Sequence, residues 1–156
     1  MRTTFALLVF IAAFAYACGG GSSSSESTSS TPPQSMVADE PVDDGKGVGG
    51  ITEVALSTPL DQTMVAAGKG VYELKCAACH KLTDQRVVGP GWAGITQRRT
   101  PEWIMNMTLN VDVMLEKDPA AQKLLEECLV RMPNQNLSEG DARGVLEFMR
   151  SNDGEK

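Results

Sequence analysis

The stretch Lys75-Cys76-Ala77-Ala78-Cys79-His80-Lys81 decides how this 156-residue chain is read. Two cysteines three positions apart, with a histidine directly after them, have the spacing at which two thiols add across the vinyl groups of a haem. The imidazole that follows then falls beneath the iron. With four cysteines and one histidine in the chain, chance produces this arrangement on the order of once per thousand such sequences. A zinc site wants four Cys or His ligands, and downstream of the motif only Cys128 remains. A thioredoxin-like dithiol wants a βαβ context, which the neighbouring pattern does not offer. Cys76 and Cys79 are therefore read as covalent attachment points of one haem c, and His80 as an axial ligand of its iron.

Outward from the motif the pattern is helical. Asp61 is an N-cap candidate, and Met64, Val65, Gly68, Val71, Tyr72 and Leu74 recur at helical spacing, which predicts a helix over 62–75. Glycines and proline in Val88-Gly89-Pro90-Gly91-Trp92-Ala93-Gly94 predict a loop. Thr100-Pro101-Glu102 opens a short helix to about Leu109, and Asp118-Pro119 repeats the device for a helix to about Val130. Ser138-Glu139-Gly140-Asp141 has the form of a capping box for a last helix to about Arg150. No convincing alternating stretch of strand length occurs, so the head, 61–156, is predicted all-α.

His80 has no second histidine to pair with, so the sixth ligand is Met, water or something unusual. The head offers Met64, Met105, Met107, Met114, Met132 and Met149. Methionines commonly fill cores, and Met64 and Met149 sit on apolar helix faces. Met132 differs because it lies in a loop stiffened by Pro133 just before the capped last helix, and it is the expected ligand, with Met107 or Met114 as fallback. Tyr72, Trp92, Trp103 and Arg98-Arg99 are candidate neighbours of the ring or its propionates, the arginines as carboxylate partners. Lys69, Lys75, Lys81, Arg86 and Arg131 are either a weak basic rim for an acidic partner or scattered solvated charge.

These features resemble the class I mono-haem bacterial cytochromes c over roughly residues 61–150. The resemblance rests on Gly68-x-x-x-Tyr72 before the haem motif, Gly89-Pro90 after it, Met132-Pro133, and Leu137-Ser138 opening a helix with Val145 and Phe148. It implies a cytochrome c fold of about four to five helices around one haem. It also implies that Gly68 and Tyr72 pack on the last helix and that the Pro90 carbonyl accepts the second N–H of His80. The stretch from Pro101 to Val130 is longer than in minimal members, and Cys128 has no family role. The segments 102–107 and 132–137 resemble lipoprotein cytochromes of Bacteroidetes-like bacteria that serve respiratory oxidases or nitrous oxide reductases.

The N-terminal third reads differently. Residues 1–17, with Arg2 before an uncharged apolar stretch Phe5 to Tyr16, have the form of an export signal too short to span a bilayer comfortably. Ala15-Tyr16-Ala17-Cys18 resembles a bacterial lipobox, with Ala15 in place of the usual Leu, which implies lipidation of Cys18. Residues 18–60 are rich in Gly, Ser, Thr, Pro and acids, and are expected to form a disordered tether. They hold six acids and one lysine, which leaves the head, with 12 bases and 14 acids, nearly neutral. Nothing in this balance points to nucleic acid.

A His/Met pair saturates the iron and its thioether favours Fe(II), so the expected role is electron carriage and not catalysis. The expected protein is a lipid-anchored monomer in the periplasm or on the outer side of the cytoplasmic membrane. There it shuttles electrons from a quinol-oxidising complex to a terminal oxidase or nitrous oxide reductase. The alternative is a fixed haem subunit of a larger respiratory complex. An open-iron enzyme or gas sensor would require that Met132 not bind.

Overall fold

The computed structural model describes residues 43–156. The expected export signal, Cys18 and the first part of the tether lie outside the described residues. Six α-helices follow in order: α1 Gln62–Val71, α2 Ile95–Arg98, α3 Pro101–Leu109, α4 Val111–Lys117, α5 Pro119–Cys128 and α6 Glu139–Asn152. Among the described residues there is no strand, only an isolated antiparallel bridge between His80 and Arg86. No helix there is long and apolar enough to cross a membrane.

Local chemistry accounts for the helix ends. The Asp61 carboxylate accepts from the Thr63 and Met64 amides at 2.8 and 3.1 Å, which supplies partners for donors that a first turn leaves orphaned. Thr100 and Asp118 cap α3 and α5, each with proline at the first helical position. Ser138 and Asp141 form the reciprocal box that opens α6. After α1 the chain continues as one π-helical turn, Tyr72–Cys76, closed by the Ala77 amide donating to the Tyr72 carbonyl at 2.9 Å. Such widened turns gather at functional sites, and this one delivers Cys76.

The core is organised by α1 crossing α6. A Cβ on Gly68 would lie 1.9 Å from the Gly144 carbonyl oxygen, so the two backbones touch where both residues lack side chains. Tyr72 packs on Phe148 with ring centroids 5.4 Å apart. The expected seating of Gly68 and Tyr72 on the last helix is what the structure contains.

Three features differ from expectation. α2 and α4 fall outside the expected helices, because each is two turns or less in length and shows too little periodicity to register. α5 stops at Cys128, two residues early, because Leu129 turns into the left-handed region at φ 58°. The largest difference is the tether. Residues 43–60 lie along the helices as an ordered strap, so the folded head begins well before Asp61. The buried Asn106 side chain accepts from the Ile51 amide at 3.0 Å and donates to the Lys46 and Ile51 carbonyls at 3.0 and 2.9 Å. Glu102 accepts from the Val54 amide at 3.1 Å, and Leu60 is buried. A composition count expects disorder here because few side chains are apolar. The missing enthalpy comes from backbone groups paired to helix side chains, and Gly49 permits that approach: its added Cβ would meet Asn106 Oδ1 at 2.1 Å.

The strap also rests on a buried ion cluster of α6. Glu147, fully buried, accepts from Arg150 Nη1 at 2.8 and 3.0 Å, and Arg143 Nη1 stands 2.5 Å from its Oε1. The two arginines donate to the strap: Arg143 to the Ala55 carbonyl at 3.0 Å and Arg150 to the Ser57 carbonyl at 3.2 Å. Burial alone would lower the Arg150 pKa, but its hydrogen bonds to Glu155 and Glu147 outweigh that and raise it.

Candidate haem site

The Cys76–His80 turn is held from both ends by one residue. The Tyr72 carbonyl receives the Ala77 amide, and the Tyr72 hydroxyl donates to the His80 carbonyl at 2.8 Å. Inside the turn the Cys79 and His80 amides both donate to the Cys76 carbonyl, at 3.0 and 2.9 Å. The loop that follows folds back over the motif. Gly89 donates to the Cys79 carbonyl at 3.0 Å and Trp92 to the Lys81 carbonyl at 2.8 Å.

This return brings Pro90 to the imidazole. His80 Nδ1 lies 2.9 Å from the Pro90 carbonyl oxygen, an oxygen that can only accept, so Nδ1 carries the proton and Nε2 keeps its lone pair. Burial lowers the His80 pKa, partly opposed by the Pro90 hydrogen bond, and the neutral ligating form is favoured. A Cβ on Gly89 would fall 2.4 Å from the His80 ring, so glycine is required there to let the loop lie against the imidazole. The Trp92 ring stands 5.5 Å from that of His80 and 5.0 Å from that of Tyr72.

These residues border an apolar cleft of about 970 Å³, its open mouth included. Cys79, His80, Gly89, Pro90, Trp92 and Met132 all line it. A smaller adjoining recess is lined by Cys76, Cys79, His80 and Met132, so both thiols and both expected ligands meet at one place. Neither Cys76 nor Cys79 is in a disulfide, so both sulfurs are available for covalent attachment, and burial raises the Cys76 pKa. The fit to haem is good. The cleft walls are apolar, one thiol lines the cleft and the other the adjoining recess, and Nε2 of the imidazole is left unprotonated. Among the described residues no three His, Cys, Asp or Glu side chains gather as a metal site of their own.

Two expected cofactor contacts are relocated. Tyr72 does not line the cleft; it stands behind His80 as a brace. Arg98 does not line it either, because its guanidinium donates to the Ala93 and Gly91 carbonyls and closes the loop on itself. Arg99 is spent on the face of Trp103, 4.7 Å from its centroid. Of the fallback ligands, Met114 is fully buried with its sulfur accepting from the Val48 amide at 3.0 Å, whereas Met107 does line the cleft. Cys18 lies outside the described residues. Thr108, which lines both cavities, and Cys128, which lines the larger, are wall residues that sequence reasoning does not assign. Thr108 is legible in principle as the i+4 neighbour of Ile104 on the wall of α3; Cys128 carries no signal beyond its type.

Comparison with known proteins points to one family. The family model described as cytochrome c matches residues 65–153. Cytochrome c from Rhodothermus marinus is 34% identical, with a TM-score of 0.65 over 67% of this chain and 90% of that one. An engineered form of it, Rma TDE, is 33% identical with a TM-score of 0.64 over the same shares. The same engineered protein bound to a carbene intermediate is also 33% identical, with a TM-score of 0.61. No curated protein matches. Six helices among the described residues, a cleft that joins Cys79 to His80 with Cys76 in the adjoining recess, and these likenesses lead to one conclusion: the chain belongs to the cytochrome c family, an electron carrier with covalently attached haem c.

Proposed function

We propose that this cytochrome c is a mono-haem shuttle, tethered to a membrane, that passes single electrons from a quinol-oxidising complex to a terminal oxidase or nitrous oxide reductase. The observation that carries the reading is the convergence of His80 and Met132 on one apolar cleft beside Cys76 and Cys79. Haem c supplies a one-electron Fe(III)/Fe(II) couple there. His80, its Nδ1 engaged by Pro90, would hold the iron through Nε2, and the Met132 thioether would be the second protein ligand, which would favour Fe(II). The apolar wall of Ile104, Leu124 and Leu125 keeps water from the ring. With both ligands supplied by the chain, substrates would have no site on the metal.

The tethered part of the proposal rests on sequence: an export signal over 1–17 and a lipobox-like Cys18, which support a head in the periplasm or outside the cytoplasmic membrane. Carbon monoxide tests the saturated iron. The reduced native protein is expected to resist it, and rapid binding would replace the carrier reading with that of an open-iron enzyme or sensor. Salt-washed native membranes test the shuttle: stoichiometric co-purification with one complex would make the protein a fixed subunit instead.

A further inference from the structure

A carboxylate stands at the end of α6, where helix electrostatics disfavour it. The C-terminus of a helix carries partial negative charge, which suits a cation and repels an acid. Asp153 caps α6 all the same, and its carboxylate serves another helix. Oδ1 accepts from the Gly94 amide at 2.7 Å, and Oδ2 accepts from the Thr96 amide at 2.9 Å and the Thr96 hydroxyl at 2.7 Å. Those groups open α2, whose own N-cap, Gly94 at φ 69°, has no side chain to receive them. An acidic acceptor belongs at a helix start, so Asp153 caps α2 across a separation of 59 residues from Gly94.

The loop that leads into α2 carries the partner of the expected iron ligand. The Pro90 carbonyl, four positions before Gly94, accepts from His80 Nδ1 at 2.9 Å. Within the loop, the Trp92 amide donates to the Lys81 carbonyl at 2.8 Å and the Ala93 amide to the Thr83 carbonyl at 3.3 Å, while Arg98 donates to the Ala93 and Gly91 carbonyls. These bonds fix the shape of the loop. Asp153 fixes its far end to α6, and Asn152 Nδ2 adds a bond to the Leu82 carbonyl at 3.1 Å. Gly94, Thr96, Asn152 and Asp153 do not line the cleft or its recess, so these ties lie outside the space a haem would take.

We propose that Asp153 is a positioning residue for the iron ligand: by capping α2 it holds the Pro90 carbonyl on His80 and so sets the reduction potential. This rests on His80 as an iron ligand. An acceptor on one ring nitrogen raises the basicity of the other, and a more basic ligand stabilises Fe(III) over Fe(II). Freeing the loop weakens the bond at Nδ1 and moves the balance toward Fe(II).

The test measures the reduction potential of the holoprotein in the wild type, Asp153→Ala, Asp153→Asn, Thr96→Val and the control Ser138→Ala, which removes the cap at the other end of α6. Asp153→Ala should shift the Fe(III)/Fe(II) equilibrium toward Fe(II) about three- to tenfold, roughly 28–59 mV upward at about 59 mV per tenfold. Asp153→Asn keeps one oxygen to accept and should recover part of the shift. The control should melt lower and keep its potential. In the reduced protein, the His80 Nδ1 proton should exchange with solvent severalfold faster in Asp153→Asn than in wild type. An unchanged or lowered potential in Asp153→Ala, an equal rise in the control, or equal exchange rates would overturn the role. Should Asp153→Ala fail to fold, Thr96→Val, which loses one of the three contacts, must show a smaller rise in the same direction, and its absence would overturn the role as well. A reduced wild type whose proton spectrum lacks imidazole resonances shifted by the haem ring would mean that His80 is not on the iron; that reading then fails first, and the role of Asp153 falls with it.

Discussion

Replacing Asn106 by alanine removes the pin between strap and haem wall. Three hydrogen bonds go at once: one from the Ile51 amide and two to the Lys46 and Ile51 carbonyls. The two donated bonds contribute about 1 kcal/mol each net, and the half-buried Ile51 N–H left unpaired costs about 1–2 kcal/mol. Truncating a side chain only 1% exposed leaves a small void besides, so the total is about 3–4 kcal/mol. For a domain of this size each kcal/mol lowers the melting temperature by roughly 4 °C, which predicts a fall of about 12–16 °C. Thermal unfolding of the holoprotein by circular dichroism measures it, with limited proteolysis reporting whether residues 43–60 are released. Melting within about 2 °C of wild type, with the strap equally resistant to protease, would refute the claim that residues 43–60 are part of the folded head.

Gly68→Ala should drive a methyl into the Gly144 carbonyl and separate α1 from α6, at a cost of about 3 kcal/mol or more; a denaturant titration reads it. Glu147→Ala strands two arginines at a buried site and should cost about 3–5 kcal/mol, whereas the same change at exposed Glu73, whose contact with Lys69 is 3.9 Å, should be near neutral by thermal melting. His80 is pushed below its ordinary value by burial, so its protonation opposes folding. Its contribution to the haem-free chain is full above the unfolded value of about 6.5 and is lost as pH falls through the lower folded value. Melting curves between neutral pH and acid should therefore diverge between wild type and His80→Asn.

The haem motif and the capped helices are legible in the sequence because each depends on neighbours in the chain. Thr100-Pro101, Asp118-Pro119 and the Ser138/Asp141 box state their own boundaries. The seating of Gly68 comes from the resemblance and not from its neighbours, since its partner Gly144 lies far along the chain. Three readings fail where the partner is distant or out of pattern. The order of residues 43–60 depends on Asn106 and Arg150, roughly fifty and ninety positions away. Tyr72 reads as a haem neighbour, yet its hydroxyl is on the His80 carbonyl, and Arg98 places its donors on its own loop. Leu129 reads as part of the apolar face of α5, since nothing local marks a leucine as the residue that leaves the helix.

The proposed saturated iron depends most on Met132 as the second ligand, because that bond would close the iron to substrates. The near-red charge-transfer band of Fe(III) bound to a thioether tests it directly. The oxidised wild type should show the band, and Met132→Ala should lose it while keeping the haem covalently attached through Cys76 and Cys79. A band that persists in Met132→Ala would move the ligand to Met107, the other methionine fallback lining the cleft. A wild type without the band would contradict the account.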